Sequence, residues 1–439
     1  MSNFQIVNKK INPFKKEILV PGDKSLSIRW VLFSSIASGT SKAQNLLISK
    51  DVLAAIKAIR KLGIKVILNK KFCKIFGRGI NGFKYKKNIV INAENSGTLG
   101  RLILGLLVNS PFPIKIIGDQ SLSKRDFKRI TKPLSKFGVS FKFNKENGLP
   151  LKILGSKKLV PIKYYEKKGS AQIKSSLIFA GMRTEGKTTI KAKKSRNHSE
   201  LLIKYLKLPI KVKKEKNFDV IEVNRVKRIS PLNYKIPSDI SSASFFIALT
   251  ILTENSELII KNVNVNPSRI GLVSILKKMG VEIKFKNLKL YKGEKIANIK
   301  VKSPKFLKPI DCPTHLNSSA IDEFLIIFLI AAKAKGISFF KGLSELDQKE
   351  SPRLKWGARI LNLMGVKTTV TKNSIKIFGN PSLKIKKKII IKDFLKDHRV
   401  FMTSVIAGLT FGGQWIIYDK ESFKTSFPSF LKILKDLKK

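Results

Sequence analysis

The sequence predicts an α/β protein built from an internal repeat and divided into two domains. Three observations carry this expectation. The 439 residues are 43% apolar and 27% charged, the balance of a globular chain long enough for two or three cores. A helix-like apolar segment, then Leu, Phe or Met with glycine, then a β-branched run recurs along the chain. Finally, Pro with Gly or Ser punctuates two junctions, Val20-Pro21-Gly22 and Lys235-Ile-Pro237-Ser238-Asp239, each between a strand-like and a helix-like run.

The repeat first reads Ile59-Arg-Lys-Leu-Gly63-Ile-Lys-Val66 and then Leu134-Ser-Lys-Phe-Gly138-Val. It returns as Leu206-Lys-Leu-Pro209-Ile, Leu276-Lys-Lys-Met-Gly280-Val and Leu361-Asn-Leu-Met-Gly365-Val, and a last helix over Phe430–Leu437 closes the series. The intervals are 75, 71, 71 and 85 residues. Glycine at this spot fits a helix C-cap that needs positive φ before a strand begins. Six such units fill the chain. With both punctuated junctions as crossovers, residues 22–240 form one domain of three repeats, and residues 1–21 with 241–439 form the other. A substrate cleft between them is the expected site.

Composition excludes several classes. Cys73 and Cys312 are too few for a disulfide framework or a cysteine zinc site. The very apolar stretch 324–332 is shorter than the roughly 20 residues a bilayer needs, and residues 1–10 lack an apolar signal core. A cytoplasmic protein with no membrane partner is expected. The 88 Lys and Arg against 29 Asp and Glu leave a net charge of +59, which invites a nucleic-acid reading. Yet only 14 of the basic residues are arginine, the side chain that reads bases and phosphates bidentately, and the lysines are spread along the whole chain. A compositional drift toward lysine accounts for this better than a specific nucleic-acid partner does. The positive field still draws in small anions.

Chemistry gathers at helix starts. The strand-like Glu17-Ile-Leu-Val20 runs into Pro21-Gly-Asp-Lys-Ser-Leu-Ser-Ile-Arg29, so Lys24, Ser25, Ser27 and Arg29 surround the start of an apolar helix. Backbone N–H groups and the helix dipole favour an anion there. Asn95-Ser-Gly97-Thr98-Leu-Gly-Arg101 repeats the theme, and Gly97 lets a phosphate approach the backbone closely. Ser170-Ala171-Gln172-Ile-Lys-Ser175, Ser195-Arg-Asn-His198 and Ser238-Asp-Ile-Ser-Ser-Ala open further helices. Any one is an ordinary capping sequence; five in a repeated architecture predict a polyanionic substrate. The acid–base candidates are Asp322 and Glu323, ahead of the apolar stretch, and the carboxylates flanked by cations in Lys349-Glu350-Ser-Pro-Arg353 and Asp397-His398-Arg399. Neither a GxxxxGK[ST] nor a GxGxxG loop occurs, and no His, Cys and Glu set has metal-ligand spacing.

Together with Gly118-Asp-Gln-Ser-Leu-Ser-Lys-Arg125, Pro237-Ser238 ahead of the Asp239 helix start and Asn266-Pro-Ser-Arg269, these stretches resemble, in order and spacing, the 5-enolpyruvylshikimate-3-phosphate synthases of the enolpyruvyl transferase family from end to end. The resemblance implies two similar domains, each of three βαβαββ units, joined by two crossovers. It implies transfer of the enolpyruvyl group of phosphoenolpyruvate to the 5-hydroxyl of shikimate 3-phosphate, with release of phosphate, on the way to chorismate and the aromatic amino acids. It also implies a monomer with no metal or organic cofactor.

Roles follow from the same likeness. Lys24, Arg125, Arg353 and Arg399 match the phosphoenolpyruvate clamp; Gly97 offers its N–H to that phosphate, and Gln172 bridges both substrates. Ser25 and Arg29 match the shikimate carboxylate site, and Ser170, Ala171, Ser195 and Lys349 its 3-phosphate site. Lys24 also counts among the shikimate 3-phosphate and catalytic residues. Asp322 is placed to take the 5-hydroxyl proton and Glu350 to protonate the methylene carbon. The sequence departs from the family pattern at Ile28, Trp30, Asp126, Glu345 and Pro352, and at Lys396, where glycine is usual; Lys424 lies one residue from the place of a late family lysine. Two rival functions are a lysine-rich nucleic-acid-binding protein and the sister transferase acting on UDP-N-acetylglucosamine. The sister enzyme starts Lys-Asn where this chain has Lys24-Ser25, and it uses a loop cysteine as acid, a place neither Cys73 nor Cys312 matches.

Overall fold

Helices that are apolar on every side can be stable only where every side is covered. In the computed structural model, which describes residues 3–144 and 146–438, such helices form the centre of two units. One unit takes Gly22–Ile236 and Tyr291–Glu294, and the other takes Met1–Pro21, Pro237–Leu290 and Lys295–Lys439. In the first, the helices Lys24–Ser35, Gly97–Leu106 and Ala171–Gly181 are buried along nearly their whole length, and the middle one packs on both others. In the second, Ile240–Leu252, Phe324–Ala331 and His398–Phe411 are buried at every residue and pack on one another in all three pairings. Each unit has its own continuous apolar core.

Small sheets enclose these helices. Among the described residues the strands form six sheets of three or four strands. In three of them a parallel pair is followed by two antiparallel steps: Lys163–Glu166, Lys187–Lys193, Phe218–Asn224 and Ile210–Lys214 are one example. Its strand Lys187–Lys193 alternates in the way a half-covered sheet requires, with Thr188, Ile190 and Ala192 inward and Lys187, Lys191 and Lys193 in solvent. The mixed α/β class predicted from the sequence is therefore observed. Among the described residues no helix is long and apolar enough to cross a membrane.

The recurring Leu-Gly marker belongs to outer, amphipathic helices that alternate along the chain with the buried ones. Gly63, Gly138, Gly280 and Gly365 follow the helices Lys50–Lys61, Lys128–Ser135, Gly271–Lys278 and Arg353–Leu363, with φ of 84°, 92°, 88° and 85°. The chain reverses through Ile64 N–H to Ile59 O at 3.1 Å, Val281 to Leu276 at 3.0 Å and Val366 to Leu361 at 2.9 Å, the closure expected of a left-handed cap. The third marker along the chain, the one that carries Pro209, corrects the sequence reading. The helix His198–Tyr205 closes through Leu208 N–H to Ile203 O at 3.1 Å, and the left-handed residue is Lys207 at φ 55°, not residue 209. Proline cannot adopt positive φ, so the cap falls before Pro209.

A side chain in that conformation is strained, and Lys207 is exposed, so nothing else holds it. Lys207→Gly is expected to raise the unfolding free energy by about 0.5–1 kcal/mol, the strain relieved less the extra freedom of glycine in the unfolded chain. Urea denaturation followed by circular dichroism checks this; an unchanged or lower midpoint refutes the cap assignment.

Candidate active site

The buried helices can meet solvent only at their ends, and many of the expected site residues lie at or beside their N-termini. In the Gly22–Ile236 unit, Asp23 caps the first helix by accepting from Leu26 N–H at 2.8 Å. Lys24 then pairs with Asp51 at 3.1 Å. One turn on, Arg29 is 3% exposed and its fork is fully directed. Its Nε donates to Ser199 Oγ at 2.9 Å, Nη2 to Ser175 Oγ at 3.0 Å and Nη1 to the Ser25 carbonyl at 3.2 Å. Ser25 and Arg29, expected together, are together. Ile28 and Trp30, two departures from the family pattern, are buried packing residues, and Trp30 Nε1 donates to Leu232 O at 2.8 Å.

The second helix begins at Gly97 itself, capped by Ser96. A methyl group on Gly97 would lie 3.0 Å from Arg125 Nη1 and 3.3 Å from Arg101 Nη1, so both guanidinium groups close around this glycine. Arg125 is steadied by Asn95 Oδ1 at 3.2 Å, and Asn95 by Asp119 at 2.6 Å. Arg101 Nη1 donates to Gln172 Oε1 at 2.6 Å, while Gln172 Nε2 donates to Thr98 Oγ1 at 3.2 Å, which fixes the orientation of that amide. The Gly97 N–H, expected to meet a phosphate, donates in this structure to Asn95 O at 3.0 Å. Ser170 caps the third helix, of which Ala171 is the first residue. Buried Glu166 shapes the approach by accepting from the N–H groups of Lys168, Gly169 and Ser170 at 3.0, 2.6 and 2.9 Å. The Ser195 hydroxyl is shielded from solvent and has no hydrogen-bond partner among the described residues, a donor that an anion would satisfy.

The other unit gathers Asp322, Lys349, Glu350, Arg353 and Arg399 into one network. Asp322 has Lys349 Nζ at 3.4 Å, Arg353 Nη1 at 3.4 Å and Arg399 Nη2 at 3.8 Å. Each is longer than the roughly 2.8 Å of a close charge-assisted bond, and together they set three cations around this carboxylate. Arg353 is locked instead on its far side. Asp397 takes its Nε at 2.8 Å and Nη2 at 3.2 Å, and Glu350 pairs with Nη2. Asp397 also accepts from Ser351 Oγ at 2.8 Å and caps its own helix through Arg399 N–H at 2.9 Å. Ahead of it, Leu395 and Lys396 both take positive φ, 53° and 55°, which is why glycine suits the Lys396 position in relatives of this pattern. Lys424 pairs with Glu421 on an exposed turn.

Arg101, Asp51 and Glu166 were not singled out as site residues from sequence, and the structure puts each in direct contact with one. Arg101 had a usable signal, since it lies one helical turn beyond Gly97 on the same face. Asp51 and Glu166 had none, because their partners are 27 and 4 residues away in unrelated motifs. Both cysteines are buried. Burial pushes the Cys73 thiol up to about 12 against the weaker pull of Arg60, and the Cys312 thiol up to about 11 with help from Asp311. Neither is suited to the acid role of the sister transferase's loop cysteine. Among the described residues no cluster of three His, Cys, Asp or Glu side chains could hold a metal ion.

Burial opposes charging Asp397, but the Arg353 guanidinium outweighs it and holds the carboxyl below the usual carboxylate range. A depressed value stabilises the fold above the unfolded aspartate pKa of about 3.9, and that stabilisation is lost as pH falls through the lower folded value. Asp397→Asn leaves a buried arginine short of its main counter-charge, so it should cost about 3–5 kcal/mol at neutral pH. The difference from the parent protein should shrink below pH 4. Denaturant midpoints at pH 7 and pH 3.5 check this; a constant difference would mean the pair does not titrate as described.

The family model for EPSP synthase (3-phosphoshikimate 1-carboxyvinyltransferase) matches residues 8–434. A 3-phosphoshikimate 1-carboxyvinyltransferase of Caldicellulosiruptor bescii is 38% identical over 434 residues, 98% of each chain. The EPSP synthase structure from Acinetobacter baumannii superposes with a TM-score of 0.86 at 34% identity, covering 99% of this chain and 98% of that one. The enolpyruvyl transferase NikO from Streptomyces tendae shares the fold at a TM-score of 0.76 with 13% identity, covering 100% of this chain and 98% of that one. The relatives carry the same enzyme name, the match spans nearly every residue, and the chain belongs to the EPSP synthase family.

Proposed function

We propose that the chain carries out enolpyruvyl transfer from phosphoenolpyruvate to the 5-hydroxyl of shikimate 3-phosphate, with the residue sets of both units acting on one pair of bound anions. The observation that carries this reading is Asp322, a carboxylate within reach of three cations, Lys349, Arg353 and Arg399. Lys24, Arg125, Arg353 and Arg399 would clamp phosphoenolpyruvate, with Arg353 offering the Nη1 that now reaches Asp322 because Asp397 and Glu350 hold its other nitrogens. Ser25 and Arg29 would take the shikimate carboxylate, and Ser170, Ala171, Ser195 and Lys349 the 3-phosphate. Gln172, its amide fixed by Arg101 and Thr98, would bridge both ligands.

Asp322 accepts the 5-hydroxyl proton as that oxygen bonds to C2 of phosphoenolpyruvate, and Glu350 delivers a proton to the C3 methylene. The cations stabilise the charge of the tetrahedral adduct. Return of a C3 proton to Glu350 and departure of phosphate, which carries away the proton held by Asp322, then restore the double bond and give the product, so both carboxylates are regenerated and the atoms balance. The chain is proposed to work as a cytoplasmic monomer. The UDP-N-acetylglucosamine reading is disfavoured by the family match and by the two buried thiols.

Phosphate release should require both substrates together, and release with either one alone would defeat the proposal. Asp322→Asn should lower kcat by about 10²–10⁴-fold with both KM values nearly unchanged; near-parental turnover removes Asp322 from the chemistry.

Gly97→Ala tests the clamp. The added methyl must displace the flexible tips of Arg125 and Arg101, at an overpacking cost of about 1–3 kcal/mol. The KM for phosphoenolpyruvate should therefore rise about fivefold or more, with little change for shikimate 3-phosphate. Unchanged values for both would show that Gly97 does not border the bound ligand.

A further inference from the structure

No role above uses Asn266-Pro-Ser-Arg269, yet Arg269 is only 2% exposed. A buried guanidinium is retained only where its charge is matched and its donors are placed. The loop that delivers it is tied to itself: Asn266 Oδ1 accepts from Ser268 N–H at 2.9 Å and Ser268 Oγ at 2.8 Å, and Arg269 N–H donates to Asn266 O at 2.8 Å. Arg269 Nη2 then donates to Ser241 Oγ at 2.8 Å and lies 3.5 Å from Asp239 Oδ1. Asp239 and Ser241 stand at the start of the buried helix Ile240–Leu252.

From Ser241 the connection runs on. Its hydroxyl donates to Oε1 of Glu323, a carboxylate 1% exposed at the start of the helix Phe324–Ala331. A hydroxyl that accepts from a guanidinium is polarised and donates more strongly, so Arg269 strengthens the bond that holds Glu323. The same Oε1 is 3.9 Å from Arg399 Nη1, while Arg399 Nη2 is 3.8 Å from Asp322. Arg399 is thus shared almost evenly between two carboxylates, one deep and one at the reacting centre. The line Arg269–Ser241–Glu323–Arg399–Asp322 joins the N-termini of all three buried helices of this unit.

We infer that Arg269 is a positioning residue for phosphoenolpyruvate: through Ser241 and Glu323 it holds Arg399 off Asp322, keeping the guanidinium available to the ligand. The inference rests on the clamp role proposed for Arg399. If Glu323 loses its support, Arg399 closes on Asp322, and the clamp and the base are engaged by one another instead of by substrate.

The test is steady-state kinetics with each substrate varied in turn, on Arg269→Gln, Arg269→Lys, Ser241→Ala and Arg399→Lys. Arg269→Gln and Ser241→Ala should each raise the KM for phosphoenolpyruvate about tenfold and leave that for shikimate 3-phosphate within about twofold. Arg269→Lys, which keeps the charge without the fork, should recover much of the loss. Added to Arg399→Lys, Arg269→Gln should cost nothing further in phosphoenolpyruvate KM, because its effect passes through Arg399. A parallel rise in both KM values, no rise at all, or a lysine variant no better than glutamine overturns the proposal. Ser241→Ala removes one oxygen and leaves the Arg269–Asp239 contact, so it decides the matter if Arg269→Gln does not fold. If Arg399→Lys itself leaves the phosphoenolpyruvate KM unchanged, the clamp role fails and this proposal with it; if only Arg399→Lys raises it, the relay alone is wrong.

Discussion

The charged groups of the unit that holds Asp322 are placed by one constraint: its central helices are buried along their whole length. Ile240–Leu252, Phe324–Ala331 and His398–Phe411 bury every residue they contain, so no charged group can be carried along their length. Their N-termini are the exception. There the first N–H groups lack partners within the helix and the dipole favours negative charge. Asp239, Glu323 and Asp397 occupy these three starts, and each meets an arginine: Arg269, Arg399 and Arg353. The apolar core thus sorts the chemistry to one end of each helix.

The Gly22–Ile236 unit relaxes this constraint, since Arg29, Arg101 and Lys174 are buried within its central helices, Lys174 against Glu200 at 2.6 Å. Its helices start at Asp23, Ser96 and Ser170, two of them neutral caps, and the surrounding charges are mainly Lys24, Arg29, Arg101 and Arg125. Neutral hydroxyl caps leave the dipole's positive end uncompensated, which suits an incoming anion. The acidic starts of the other unit are already balanced by arginines. One unit therefore gathers cations at its helix starts, and the other sets a carboxylate among cations.

Much of the fold was legible because it rests on local rules. The glycine after each outer helix is a conformational requirement, and Gly63, Gly138, Gly280 and Gly365 take the left-handed shape read for them. The one marker without glycine was misplaced by two residues, because the strain at Lys207 is carried by a residue that gives no sign of it. The anion-friendly helix starts were also visible, since capping residues and the apolar run behind them are adjacent in the chain. The partners that orient them were not. Ser199 reaches Arg29 across 170 residues, Asp397 reaches Arg353 across 44, and Ser241 reaches Glu323 across 82.

The sequence by itself determined the class of fold, the family and which helix starts bear the reactive residues, because each depends on neighbours within a turn or on the joint pattern of many short stretches. Only the tertiary structure decided the state of those residues. Whether Glu350 faces solvent or is tied to Arg353, which cations surround Asp322, and that Arg269 belongs to the same network at all are outcomes of long-range packing. The reason is physical: a buried charge is governed by whatever lies within a few ångströms of it, and in a repeated α/β chain those neighbours come from distant segments that no local pattern connects.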